Sequence, residues 1–124
     1  MNTPGRVLVV EDDDTLRETL TEILIDEGFE VRSAAHGGLA LALIERWTPD
    51  LIVLDVMMPE MDAFEFRRHQ RGRPDAAGMK ILVVSAAGNA HEAARRLGAD
   101  EWVAKPFTLV EMLASVDRLV GRTA

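Results

Sequence analysis

Cysteine is absent from the 124-residue sequence, and no apolar run approaches the ~20 residues that a membrane-spanning helix requires. The lack of cysteine excludes a disulfide framework and thiolate metal sites. The opening residues MNTPGR lead directly into VLVV, without the apolar region or cleavage site of a signal peptide. We therefore expect a cytoplasmic protein that does not associate with membranes.

Positive charge is also scarce. The sequence holds 14 lysine and arginine residues against 21 aspartate and glutamate residues, which gives a net charge of −7. Because binding to a phosphate backbone needs a basic surface, we do not expect direct contact with nucleic acid. The one basic cluster is predicted to be a solvated helix face and the loop after it, and it consists of Arg67, Arg68, Arg71 and Arg73.

Histidine is rare as well. The three histidines lie in different segments, and no two of them have the spacing of metal ligands. We predict surface roles for His36, His69 and His91, so that the protein contains no phosphohistidine donor of its own.

Short segments rich in valine, isoleucine and leucine alternate with helical patterns five times along the chain. Three of these segments are continuous apolar runs, as expected for parallel strands that are covered on both faces. The alternation predicts a single-domain (βα)5 protein over residues 1–124, an α/β doubly wound parallel sheet with right-handed crossovers. The predicted strands are 6–10, 31–34, 51–54, 80–84 and 101–104.

The helical patterns differ in clarity. The first and last show regular apolar spacing, and Gly28 is predicted to end the first helix in a left-handed conformation. The second carries a stripe from Leu39 to Trp47 and stops before Pro49. The third, 62–71, has Phe64 on an otherwise charged surface, and the fourth, 89–97, is short and rich in alanine.

Polar residues follow four of the five predicted strands at their carboxyl ends. Ligands of doubly wound sheets bind along that edge, so these side chains should converge. Two carboxylates about 4 Å apart repel by roughly 4 kcal/mol at an effective dielectric constant near 20, and three together demand a cation. The converging residues are Glu11, Asp12, Asp55, Ser85 and Lys105.

The composition of this set predicts a metal and a reaction. Oxygen ligands without nearby histidine or cysteine favour Mg²⁺, or Mn²⁺ in its place. A carboxylate can act as a nucleophile and become an aspartyl phosphate. The phosphoryl oxygens would then be neutralised by the metal, by Lys105 and by the Ser85 hydroxyl.

The acidic run EDDD, residues 11–14, concentrates four negative charges at the junction between the first strand and the first helix. Their mutual repulsion must be offset by another group. Of Asp13 and Asp14, we predict that one is the N-cap of the first helix and the other a solvated acid in its first turn.

Four motifs spread over essentially the whole chain resemble the signatures of response-regulator receiver domains of two-component signalling. They are VLVVEDD, LIVLDVMMPEMD, VVSA and GADEWVAKPF, in the order and spacing of that family. The resemblance implies a flavodoxin-like strand order of 2-1-3-4-5. It also implies the site roles: Asp55 as the phosphoacceptor, Asp12 as a direct Mg²⁺ ligand, Glu11 as a ligand through water, the Met57 backbone carbonyl as the remaining protein ligand, Ser85 as the switch hydroxyl, Lys105 as the partner of Asp55 and then of the phosphate, and a cis bond between Lys105 and Pro106.

The same resemblance implies a signalling role rather than an enzymatic one, although such domains assist their own phosphorylation and dephosphorylation. A histidine kinase or histidine phosphotransfer protein would donate the phosphoryl group. Phosphorylation would draw Ser85 inward, change the rotamer of Trp102 and remodel the face formed by the fourth helix, fifth strand and fifth helix. A downstream protein or effector domain would bind that face, and a homodimer across it is a further expected partner.

Two other functions compete with this one. An aspartate-based Mg²⁺ phosphatase of the haloacid dehalogenase type needs a second aspartate two residues after the nucleophile, where this chain has Met57. A degenerate receiver that binds partners without phosphorylation is disfavoured by the intact set of polar residues at the strand ends. The chain fits either a stand-alone regulator or one part of a longer protein.

Three departures from the family pattern predict local differences. Trp102 replaces the usual tyrosine or phenylalanine, and it is either an altered switch residue or a bulky filler. Ala63 replaces a common glycine, so a positive φ there would be costly and would reshape the loop. The fourth helix region is about two residues shorter than usual, which affects the output face.

Met57 and Ala87 have side chains that cannot orient an attacking water, and we therefore predict slow self-dephosphorylation.

Overall fold

Five parallel strands form one sheet in this computed structural model, which describes residues 4–56, 63–86 and 88–121. The strand order is β2-β1-β3-β4-β5, so the predicted α/β fold with strand order 2-1-3-4-5 is confirmed. Within the described residues, the strands are β1 (Arg6–Val10), β2 (Glu30–Ala34), β3 (Leu51–Asp55), β4 (Lys80–Ala86) and β5 (Glu101–Lys105).

Helices follow the strands and cover both faces of the sheet. They are α1 (Asp14–Asp26), α2 (Gly37–Ile44), α3 (Ala63–Arg71), α4 (Ala90–Leu97) and α5 (Leu109–Val120), with a short 3₁₀ turn at Ala76–Gly78. No helix in the described ranges is long and apolar enough to cross a bilayer.

Alternate residues of the central strands supply two separate cores. Ile52 and Leu54 of β3 pack with buried residues of α2, α3 and α4. Leu51 and Val53 pack with buried residues of α1 and α5. Since β3 is buried along its whole length, its continuous apolar sequence is explained by helices on both sides of the sheet.

The ends of α1 agree with the sequence signals. The Asp13 side chain accepts a hydrogen bond from the Leu16 N–H at 2.8 Å and caps the helix, and Asp14 is the exposed first-turn acid. Gly28 follows the helix with a φ of 97°, the left-handed conformation that glycine adopts without a steric cost. Both predictions are confirmed.

The helices α2 and α3 differ in detail from what their apolar sequence patterns predict. The helix α2 ends at Ile44, so Trp47 lies beyond it, and Leu39 is 49% exposed rather than part of a buried stripe. The fully buried aromatic residue of α3 is Phe66, while Phe64 is only partly buried. Hydrophobic spacing on a short, charged helix does not distinguish these two phenylalanines.

Ala63 does not carry the predicted strain. It is the first residue of α3, its side chain is fully buried, and no described residue other than glycine has a positive φ. A buried alanine is therefore suited to this position. The sequence also predicts a cap at Asp62, and this residue lies outside the described residues.

The predicted solvation of the basic cluster is wrong for Arg67, which is half-buried, whereas Arg71 is exposed as predicted. Arg67 donates hydrogen bonds to the carbonyl oxygens of Leu97 (2.9 Å) and Gly98 (3.2 Å), and Arg71 donates to that of Leu97 at 2.7 Å. These are the carbonyls that the end of α4 leaves without helical partners. The two arginines, which we call the arginine bracket, therefore join α3 to the C-terminal end of α4.

Gly98 makes room for this bracket. It caps α4 in the left-handed conformation with a φ of 66°, and a Cβ atom built there would lie 2.5 Å from the Arg71 guanidinium. Burial and the neighbouring Arg71 charge lower the pKa of Arg67 from its usual value. Contact with the carbonyl oxygens of Leu97 and Gly98 offsets this cost for Arg67.

Candidate functional site

Asp55 is the last residue of β3, and its side chain is only 2% exposed. The strand is fixed on both sides, by β1 and by β4, in which Val84 lies opposite Asp55. The Val56 N–H continues the pairing by donating to the Val84 carbonyl at 3.1 Å. An aliphatic strand in the middle of the sheet thus holds one carboxylate rigidly at the carboxyl edge.

Two more acidic residues follow β1 at the same edge. The Glu11 side chain is 3% exposed, whereas Asp12 is exposed to solvent. One carboxylate oxygen from each of Glu11, Asp12 and Asp55 lies within 4.8 Å of the others. The convergence expected from the strand ends is therefore present in the structure.

Lys105 ends β5 and brings an ammonium group to these acids. Its Nζ lies 3.3 Å from Glu11 Oε1 and 3.7 Å from Asp55 Oδ2. The sequence predicted a contact with Asp55, but the shorter contact is with Glu11. One cation is therefore shared between two buried carboxylates, and the following Lys105–Pro106 peptide bond is cis.

Burial and the neighbouring charged groups shift the pKa of the Glu11 carboxyl group. Burial is the largest cause, followed by the hydrogen bond with Asp55, and together they raise the pKa of Glu11 from 4.5 to about 7. The Asp13 N–H, which donates to Glu11 Oε2 at 3.2 Å, and the Lys105 charge act in the opposite direction. One lysine does not compensate for three carboxylates.

Ser85 lies beside these charged groups, within β4 rather than after it, because the strand extends two residues beyond the predicted end. Its side chain is 1% exposed. Ser85, Asp55 and Lys105 line one open cavity of about 540 Å³, whose apolar wall is formed by Leu16, Ala86, Pro106 and Phe107. The Asp55 carboxylate, although 2% exposed, therefore lies in the wall of a cavity that is open to solvent.

Trp102 lies on β5 but outside this cavity. It is 45% exposed, so it is not a core filler. Its ring centroid is 5.5 Å from that of His91 on α4, and it lines a groove with Val110 and Arg118 of α5. His91 therefore has the surface position that the sequence predicted. The structure brings together Glu11, Asp12, Asp55, Ser85 and Lys105 but places Trp102 on the adjoining face; Met57 lies outside the described residues.

The donor set fits a divalent cation. All three converging ligands are carboxylates, which Mg²⁺ prefers, and their charge exceeds that of Lys105 by two. The exposed Asp12 would leave such an ion open to water or to a phosphate oxygen. A cation here would also offset the Asp55 charge, which is a smaller cause of the raised Glu11 pKa than burial.

Sequence reasoning missed Arg17. Its guanidinium donates to the Glu11 backbone carbonyl at 2.9 Å and to Asp14 Oδ1 at 2.6 Å. This cation offsets part of the repulsion within the acidic run. The spacing of Asp14 and Arg17, three residues apart on a helix, was the available signal for the second contact but not for the first.

Known proteins provide independent comparisons. Residues 7–117 match the family model described as response regulator receiver domain. The chain is 42% identical to response regulator MprA of Mycobacterium sp. strain KMS over 123 residues, which are 98% of this chain and 53% of the relative. It thus spans about half the length of the curated relatives it matches.

Two solved structures of other proteins have a similar fold. The chemotaxis protein CheY4 of Vibrio cholerae superposes with a TM-score of 0.85 at 31% identity, covering 94% of this chain and 99% of that one. The response regulator protein TrrA of Thermotoga maritima, in complex with Mg²⁺-BeF, superposes with a TM-score of 0.80 at 31% identity, covering 93% and 98%.

Proposed function

Because the chain belongs to the response regulator receiver domains of two-component signalling, we propose that Asp55 is its phosphoacceptor. The observation that carries this proposal is the buried Asp55 carboxylate, 2% exposed, next to two other carboxylates and 3.7 Å from an ammonium group. The domain is proposed to extend over the whole chain, 1–124.

The proposed reaction is a transfer between two nucleophiles. A carboxylate oxygen of Asp55 attacks the phosphorus of a phosphohistidine, a new P–O bond forms, and the P–N bond breaks. The electron pair of that bond stays on the imidazole nitrogen of the donor. The rigid end of β3 contributes to the rate by holding the nucleophile in one orientation.

The residues around Asp55 would then stabilise the charge of the phosphoryl group. Lys105 lies within reach of Asp55 and can follow the phosphoryl oxygens, and the Ser85 hydroxyl can donate to one of them. Mg²⁺, or Mn²⁺, held by Asp12, Asp55 and the Met57 backbone carbonyl, with Glu11 acting through water, would neutralise these oxygens when bound. The Met57 contact is proposed from the sequence alone.

The proposed output is a change in the face formed by α4, β5 and α5. Movement of Ser85 toward the phosphoryl group would be transmitted along β4 to its neighbour β5, where Ala104 pairs with Ser85. Trp102, exposed between His91 and the α5 groove, is the residue whose rotamer would report and alter this face. A downstream protein, an effector domain or a second copy would bind there.

The proposed donor is a histidine kinase or a histidine phosphotransfer protein in the cytoplasm. Family membership and the net charge of −7 support protein partners rather than nucleic acid. The family also supports the proposal that the chain is a phosphorylated signalling domain that assists its own phosphotransfer and dephosphorylation.

Incubation with acetyl phosphate and Mg²⁺, followed by intact mass spectrometry, tests the central proposal. Wild type should gain about 80 Da, one phosphoryl group on a carboxylate nucleophile, and the gain should disappear in EDTA. Asp55→Asn should gain nothing, while Asp26→Asn, which removes an exposed carboxylate of α1, should behave like wild type. An equal gain in Asp55→Asn and wild type, or none in wild type, would refute the proposal.

A further inference from the structure

The junction between β1 and α1 is held by contacts of the backbone of Glu11. The Glu11 N–H donates to the carbonyl of Ala34, the last residue of β2, at 3.1 Å. The Glu11 carbonyl accepts from Arg17 Nη1 at 2.9 Å. Both polar groups of one residue are thus fixed, one by the sheet and the other by a side chain.

Asp12 depends on this arrangement more than the other acids do. Glu11 and Asp55 are buried and contact Lys105, but the Asp12 carboxylate is exposed and makes no ion pair or hydrogen bond to any described residue. Its position is therefore determined by the backbone. The Glu11 carbonyl and the Asp12 N–H belong to the same planar peptide unit, so a bond that fixes the carbonyl also fixes the direction in which Asp12 leaves the strand.

Arg17 is itself well anchored. Its side chain is 17% exposed, its second nitrogen pairs with Asp14 at 2.6 Å, and its backbone carbonyl accepts from the Thr21 hydroxyl at 2.7 Å. The planar guanidinium joins two acceptors in a fixed geometry, which an ammonium group does not reproduce. The side chain therefore connects the start of α1 to the end of β1.

We propose that Arg17 is a positioning residue of the Mg²⁺ site, which orients the Glu11–Asp12 peptide and through it the Asp12 carboxylate. This inference rests on the proposed function, because it assigns the metal to Asp12 and its neighbours. Mg²⁺ tolerates little departure from octahedral geometry, so a ligand whose backbone support is lost should bind it less well. Removal of a group that supports a metal ligand typically weakens binding by about 10- to 100-fold.

The sign of the effect separates positioning from simple electrostatics. Arg17 is a cation next to a cation site, so by charge alone Arg17→Gln should strengthen Mg²⁺ binding. If Arg17 acts by positioning, the same substitution should weaken it about tenfold. Arg17→Lys keeps the charge but loses the planar guanidinium that bonds two acceptors at once, so it should also weaken Mg²⁺ binding.

Isothermal titration calorimetry with MgCl₂ measures the dissociation constants of wild type, Arg17→Gln, Arg17→Lys and Arg46→Gln. Arg46 is an exposed arginine after α2, at the opposite edge of the sheet, and its replacement makes the same change in net charge. It should bind Mg²⁺ within about twofold of wild type. Circular dichroism in EDTA checks that each variant is folded, and Arg17→Lys remains informative if Arg17→Gln is not.

The Mg²⁺ dependence of phosphorylation by acetyl phosphate gives a second measurement. For the two Arg17 variants, the Mg²⁺ concentration at half-maximal rate should rise about tenfold, while the rate at saturating Mg²⁺ stays near that of wild type. Binding by the Arg17 variants equal to or tighter than that of wild type would overturn this inference and leave the proposed function intact. Absence of Mg²⁺ binding by wild type would instead overturn both.

Discussion

Replacement of Glu11 by glutamine should stabilise the metal-free protein above pH 7, although Glu11 belongs to the proposed Mg²⁺ site. The Glu11 carboxylate is 3% exposed and lies within 4.8 Å of oxygens of Asp12 and Asp55. Its pKa is raised from 4.5 to about 7, first by burial and then by Asp55. The folded state therefore holds a proton on Glu11 at pH values where the unfolded chain has released it.

The direction of the pH effect follows from this difference. Below pH 4.5 the carboxyl group is protonated in both states and costs nothing. Between pH 4.5 and about 7 the folded protein loses stability as the pH rises, and above that range the loss is constant. At about 1.4 kcal/mol per pH unit, the interval corresponds to about 3 kcal/mol. Glutamine avoids this cost but gives up the ionic contact with Lys105, so we expect a net gain of about 1 to 3 kcal/mol.

Urea unfolding in EDTA, followed by circular dichroism at pH 5 and pH 8, measures the effect. The free energy of unfolding of Glu11→Gln should exceed that of wild type at pH 8, and the excess should be much smaller at pH 5. Glu22→Gln, at an exposed position of α1, should show no such pH dependence. A variant less stable than wild type at pH 8 would mean that Lys105 compensates fully for the buried charge, and would refute the reasoning.

The remaining predictions concern other parts of the molecule. Phosphorylation should change the fluorescence of the exposed Trp102, and Trp102→Phe should remove most of the change; identical wild-type spectra before and after phosphorylation would contradict its role. Arg67→Ala should lower the free energy of unfolding by about 2 kcal/mol because the half-buried guanidinium loses its bonds to the Leu97 and Gly98 carbonyls, whereas the exposed Arg68→Ala should stay within about 0.5 kcal/mol in the same urea assay. Since neither Met57 nor Ala87 can orient water, the phosphorylated protein should persist for minutes in Mg²⁺, and decay within seconds by mass spectrometry would disprove this.

The sheet, and the carboxyl edge at which its polar side chains converge, could be predicted from the sequence because each follows from a short local pattern. The apolar run before Asp55 signals a strand buried on both faces, and strand polarity places the residue after it at the ligand-binding edge. That rule brought Glu11, Asp12 and Lys105 to one place without knowledge of any distance. It did not specify which carboxylate the flexible lysine approaches, and the shorter contact is with Glu11.

Contacts between a helix face and a distant part of the chain could not be predicted in this way. The pattern of α3 identifies a charged surface, but the carbonyls that Arg67 and Arg71 contact belong to residues about 26 to 31 positions further along the chain. Similarly, the bond from Arg17 to the Glu11 backbone depends on how a helix leaves a strand, which side-chain spacing does not encode. The sequence pattern singled out Phe64 in α3, whereas the fully buried aromatic residue is Phe66.

Because of the arginine bracket, the two ends of α4 differ in the side-chain contacts that hold them. Its last carbonyls are fastened to α3 by two cations, whereas no side chain of the described residues caps its first turn at Asn89. This end, which has no side-chain cap, lies close to the end of β4 and Ser85, and the Asn89 N–H donates to the Ala86 carbonyl at 2.9 Å. If Ser85 moves on phosphorylation as proposed, we expect the first turn of α4, which carries His91 against Trp102, to shift more than the end at Leu97 that the arginine bracket holds.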